Sequence, residues 1–175
     1  MVMKLKFKTI LFFYCIFSFI VVGVAQAEKL KEEDKLNQMP GNTNEASLLI
    51  DKIAGVYKRS FKNGNIDGTT YLSEDILEIV KVAENIIYFK FRLEFFNGHS
   101  CFLFGTAYYT SDKTFLFKGN AEERDCNLKI IATAEDIKFI DGAYGGNACR
   151  DYCCGARGGL DGVSFKRSIR NLLNT

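Results

Sequence analysis

Of the chain's six cysteines, three crowd one stretch: Cys149, Cys153 and Cys154 in "NACRDYCCGARGGLDGVSF", residues 147–165. Thiols at that density serve metal ligation, redox exchange or covalent crosslinking. Zinc takes repeated C-x₂-C pairs or histidines at metal spacing. Here one loop offers three thiolates, and the single histidine, His99, lies far away in the sequence, so no metal site is expected. A redox centre calls for C-x-x-C opening a helix after a thioredoxin-like strand, and that motif is absent. Crosslinking is left, and it depends on where the chain resides.

The first 27 residues address that question. Lys4, Lys6 and Lys8 precede an apolar run from Thr9 to Val24, then Ala25-Gln26-Ala27. This is the three-part pattern of a secretory signal peptide, cleaved after Ala27. The run, about 16 residues, falls short of the roughly 20 that span a bilayer, so no stable membrane span is expected after cleavage. Removing the signal's three lysines takes the balance from 23 Lys+Arg against 21 Asp+Glu to 20 against 21. The basic surplus belongs to targeting and leaves no nucleic-acid footprint.

Export to the periplasm or beyond puts Cys101, Cys126, Cys149, Cys153 and Cys154 where disulfides persist. Five cysteines make two bridges and leave one thiol. With Thr110 facing Lys113 across a Ser111-Asp112 turn, Cys101 lies opposite Glu122, and a loop through Arg124-Asp125 returns Cys126 to its side. A Cys101–Cys126 bridge is therefore expected. Cys149 then joins Cys153 or Cys154, and both options stay open.

Other chemistry is sparse. "GARGGLDG" lacks the Lys-Ser/Thr of a P-loop and the G-x-G-x-x-G spacing. There is no G-x-S-x-G elbow, and no carboxylate pair sits on an apolar stretch that would raise its pKa. An enzyme is not expected, nor a cofactor. Tyr144, Arg150, Asp151, Tyr152, Arg157 and Asp161 cluster in the tail, and arginine with tyrosine on a rigid loop is what interface hot spots use. An internal Arg157–Asp161 pair is the other reading, and it too stays open.

The elements that carry these residues follow from periodicity. Residues 28–45, with the only proline, read as a flexible leader. "ASLLIDKIAG" clusters Leu48, Leu49, Ile50, Ile53 and Ala54 on one side of a short helix that Gly55 ends. From Val56 the period becomes two. In "IIYFKFRLEFF", Ile87, Phe89, Phe91, Leu93 and Phe95 share one face, which predicts a half-buried strand. Asn97-Gly98 suits a tight turn with positive φ.

About eight short strands follow one another through connections too short for parallel crossovers. The fold expected is mainly all-β: one stapled domain over 46–175, an antiparallel meander closing into a barrel or curved sheet, with the helix plugging one end. "CFLFGTAYYT" carries aromatics on both faces. Core with helix packing, an apolar ligand pocket or a partner surface would each explain that.

At "CRDYCCGARGGLDGVSF" the chain resembles small exported bacterial proteins that end in a Cys-Gly-Ala-Arg segment after a β-meander. Its size and disulfide-tied barrel loosely resemble the periplasmic lysozyme inhibitors. Cys149, Tyr152, Cys154, Gly155, Ala156, Arg157, Leu160, Asp161 and Gly162 carry the likeness, with Cys101, Gly105, Ala107, Cys126 and Leu128 upstream. The doubled Cys153-Cys154 departs from it, and the inhibitors' Ser-Gly-rich loop is missing. The stapled tail loop on an exported chain points to a non-enzymatic periplasmic or secreted protein that binds another protein, such as a cell-wall hydrolase, whose acidic cleft Arg150, Tyr152 and Arg157 would enter or cover. A lipocalin-like carrier of a small apolar ligand is the alternative, and a structural envelope protein a third.

Overall fold

The computed structural model describes residues 43–121, 124–142, 148–155 and 158–173. The expected signal peptide and most of the expected leader lie outside these. So do Tyr144 and Arg157.

The first element is helix α1, Thr43–Ile53. It buries Ala46, Leu49, Ile50 and Ile53, a stripe at helical spacing that faces the core. Leu48, expected on that stripe, is exposed instead, because it falls on the far side of the turn. Gly55 ends the helix as expected, with φ of 155°. A side chain there would also strike the Asn171 carbonyl oxygen, 2.7 Å from an ideal Cβ.

Among the described residues nine strands make one antiparallel sheet: β1 Gly55–Gly64, β2 Thr70–Ala83, β3 Ile86–Glu94, β4 Ser100–Tyr109, β5 Thr114–Ala121, β6 Arg124–Ala132, β7 Asp136–Asp141, β8 Ser164–Lys166 and β9 Arg170–Asn171. A six-residue helix, α2, spans Ala148–Cys153 between β7 and β8. The order across the sheet is β8-β7-β6-β5-β4-β3-β2-β1-β9. This is the expected meander, curled into a nearly closed barrel, with β9 added.

Closure runs through Arg59 on β1. Its guanidinium donates to the Ser164 carbonyl of β8 at 3.2 Å and lies over the rings of Phe61 and Phe165, 5.7 and 5.6 Å from their centroids. It also pairs with the carboxylate of Asp75, which is 2 % exposed. The carboxylate's other oxygen accepts the Glu94 N–H at 2.7 Å. Bringing β8 against β1 in this way shields sheet edges that would otherwise template aggregation.

Alternation sets the interior. Ile87, Phe89, Phe91 and Leu93 are buried, while Lys90 and Arg92 are exposed. Phe95 is partly buried against the core. Aromatic rings fill the barrel in a chain of contacts: Phe117 to Phe89 at 5.2 Å, Phe89 to Phe91 at 6.1 Å, Phe91 to Phe139 at 5.0 Å and Phe139 to Phe165 at 6.2 Å. Such spacings are those of interacting aromatic pairs.

The helices cover opposite ends. At the end where β2 turns into β3, Lys81 donates to Ser47 at 2.7 Å and pairs with Asp51 at 3.1 Å. The Tyr57 hydroxyl donates to the Ile53 carbonyl at 2.6 Å. Arg167 and Arg170 donate to the Lys52 carbonyl at the end of α1, where cations suit the negative end of the helix dipole. The other end belongs to α2.

Candidate functional site

Helix α2 begins under Asp141, the last residue of β7. One carboxylate oxygen accepts the Cys149 N–H and the other the Arg150 N–H, both at 3.1 Å. These are donors that the first turn of any helix leaves unmet. The carboxylate comes from a neighbouring strand, so no local capping signal marks the helix in the sequence, and the stretch reads there as a loop.

Covalent bonds complete the attachment. Cys126 on β6 bonds Cys149, and Cys101 on β4 bonds Cys154, with Cα atoms 4.4 and 4.3 Å apart. Of the two tail cysteines left open, Cys154 is the bridged one, but the pairing is not the expected one: Cys101 does not bond Cys126, and Cys149 bonds neither Cys153 nor Cys154. The course of β4 and β5 explains why. Thr110 faces Thr114, its N–H donating to that carbonyl at 2.9 Å, so the turn is one residue longer than expected. Asp112 and Lys113 both take positive φ, 49° and 60°.

Beyond the turn, β4 and β5 pair only at Tyr108–Leu116 and Tyr109–Phe115, while β5 stays paired with β6 along its whole length. The two strands therefore part like a V, carrying Cys101 away from Cys126. Helix α2 is bolted to both sides of the opening.

Small residues let the pieces close. An ideal Cβ at Gly105 of β4 would lie 2.5 Å from the Phe117 ring, and one at Gly158 would lie 2.7 Å from the Cys101 sulfur. At Gly119 it would lie 2.9 Å from Phe117 and 3.2 Å from the Tyr152 ring. Tyr152 thus packs over Gly119 rather than projecting. Arg150 pairs with its neighbour Asp151 at 3.0 Å, and Asp161 is exposed on the turn before β8. Of the six residues expected to form a binding loop, the structure joins Arg150 with Asp151 and packs Tyr152 inward. Tyr144 and Arg157 lie outside the described residues.

Among the described residues Cys153 is the remaining thiol. Its Sγ donates to the Cys149 carbonyl at 3.2 Å and touches the Cys154 Sγ at 3.3 Å. Burial, with a smaller contribution from the Asp141 charge, pushes its pKa up to about 12.

A second surface lies on the outer face of β3 and β4. Leu103, Ala107 and Tyr109 point into the core, while Phe102 and Phe104, 48 % and 55 % exposed, point outward. Their rings sit 5.6 Å apart, with Tyr88 6.5 Å from Phe104 and the Lys90 ammonium 5.9 Å from the Phe102 centroid. Arg92 faces Phe102 across the strands. The doubled aromatic pattern of "CFLFGTAYYT" marks this surface in the sequence.

Compared with known protein families, curated proteins and solved structures, the chain matches none. No helix among the described residues is long and apolar enough to cross a membrane.

Proposed function

We propose that the protein is an exported, non-enzymatic binding protein, periplasmic or secreted, whose partner is another protein. The partner class we favour is a cell-wall hydrolase of the lysozyme kind, held in the manner of an inhibitor or immunity protein. The observation that carries this reading is the pair Phe102 and Phe104, exposed side by side on a rigid strand and flanked by Tyr88, Lys90 and Arg92. Exposed aromatics beside cations are the composition of interface anchors. Glycoside hydrolases use paired carboxylates, so their clefts are acidic and a cationic, aromatic face complements them. Two disulfides fit an oxidising location and stiffen the frame, which lowers the ordering cost of binding.

A carrier of a small apolar ligand is the weaker reading, because rings in mutual contact fill the barrel. The test is a non-reducing pull-down against lysozyme and related hydrolases, using the wild type and a Phe102→Ser/Phe104→Ser variant. The proposal expects capture by the wild type and at least about tenfold weaker binding by the variant, in line with the loss of one anchor. A folded variant that binds every hydrolase as the wild type does would count against it. So would a small molecule that copurifies with the native protein.

A further inference from the structure

Three sulfurs meet where α2 ends: the Sγ atoms of Cys101, Cys153 and Cys154 all lie within 4.8 Å of one another. Two of them share a bridge and the third is a thiol. A thiol touching a disulfide sulfur is the arrangement from which exchange proceeds, since a thiolate attacks along the S–S bond and expels the far sulfur.

We propose that Cys153 exchanges with the Cys101–Cys154 bridge, so that the tail is stapled to β4 through either of two adjacent cysteines. In the first step the Cys153 thiol gives its proton to water, and its sulfur attacks the Cys154 sulfur, 3.3 Å away. The Cys153–Cys154 bond forms, and Cys101 leaves as a thiolate. In the second step the Cys101 thiolate attacks the Cys153 sulfur and Cys154 leaves, taking up a proton. The net change is one thiol for another, with no oxidant or reductant consumed. The intermediate, a bridge between chain neighbours, closes a strained eight-membered ring, which drives the second step.

The surroundings set the rate. Of the strands packed against α2, β4 contributes Cys101, β6 contributes Cys126 and β7 contributes Asp141. Asp141 is the charge that acts on the Cys153 thiol, and with burial it keeps the thiol protonated at neutral pH. Exchange is therefore slow near neutrality and quickens about tenfold per pH unit as the thiolate fraction grows. The two products shift the anchoring point by one residue and present different thiols, independently of what the protein binds.

The experiment uses the full oxidised protein, held at about pH 9 to raise the thiolate fraction, quenched in acid at intervals, labelled with N-ethylmaleimide and digested without reductant. The proposal expects the label on Cys153 at first and on both Cys153 and Cys154 later, with a Cys101–Cys153 peptide growing in. Label confined to Cys153 at all times would overturn it. A second arm uses Cys154→Ser, which should form Cys101–Cys153 and leave none of the four cysteines after Ala27 as a free thiol. Two free thiols in a folded Cys154→Ser would also overturn it. Should that variant fail to fold, the labelling of the wild type decides alone.

Discussion

Asp141 caps the helix that carries Cys149: its Oδ1 accepts the Cys149 N–H at 3.1 Å, and its Oδ2 accepts the Arg150 N–H at the same distance. One side chain, 3 % exposed, thereby joins the last full strand to the stapled tail. Replacing a capping carboxylate by alanine costs about 1–2 kcal/mol. Asp141→Ala should lower stability by that amount in chemical denaturation, and Asp141→Asn by less, because its amide oxygen keeps one acceptor.

The V between β4 and β5 depends on glycine. A methyl group at residue 105 would meet the Phe117 ring, 2.5 Å from an ideal Cβ. Overpacking of this kind costs about 1–3 kcal/mol. Gly105→Ala should be destabilised by an amount in that range, and Phe117→Leu should recover part of the loss. A double-mutant cycle reads the coupling, which should be well above the scatter of independent sites.

Arg59 closes the barrel and answers a buried charge. Removing one partner of a fully buried pair costs about 3–5 kcal/mol. Here the arginine is half in water, so Arg59→Ala should cost somewhat less, about 2–3 kcal/mol. Arg59→Met should cost about as much, since Asp75 is left unpaired in both. Thermal unfolding of the two variants checks this, and a methionine variant as stable as the wild type would assign the role to packing alone.

Alkaline pH tests the helix contact. Burial pushes the Tyr57 hydroxyl up to about 12 from an ordinary value of 10.0, against the lowering effect of Arg170 and Arg167. The folded state then holds the proton that the unfolded state releases. Stability should be level up to pH 10 on this account and fall between pH 10 and 12, because there the unfolded chain binds fewer protons. Tyr57→Phe should show a shallower fall over the same window, measured by denaturation at fixed pH.

Much of the frame was legible because one period carries one meaning. The alternation of Ile87, Phe89, Phe91 and Leu93 meant a strand with one wet face, and all four are buried. Asn97 and Gly98 take the positive φ their types allow. The disulfide pairing was not legible, because the parting of β4 from β5 changes which cysteines meet. Helix α2 was hidden for a related reason: Asp141, seven residues before its first residue, caps it from another strand. The Phe102–Phe104 surface was visible only as an ambiguity. A sequence shows that both faces are apolar, and only the fold shows which face points outward.

The stapled tail exists only if α2 is tied to two separate strands. Disulfide mapping of the oxidised protein, digested in acid without reductant, tests that directly. It should yield Cys126 linked to Cys149, and Cys101 linked to Cys154 or to its exchange partner Cys153. A Cys101–Cys126 peptide, or five reduced thiols in native material, would contradict it.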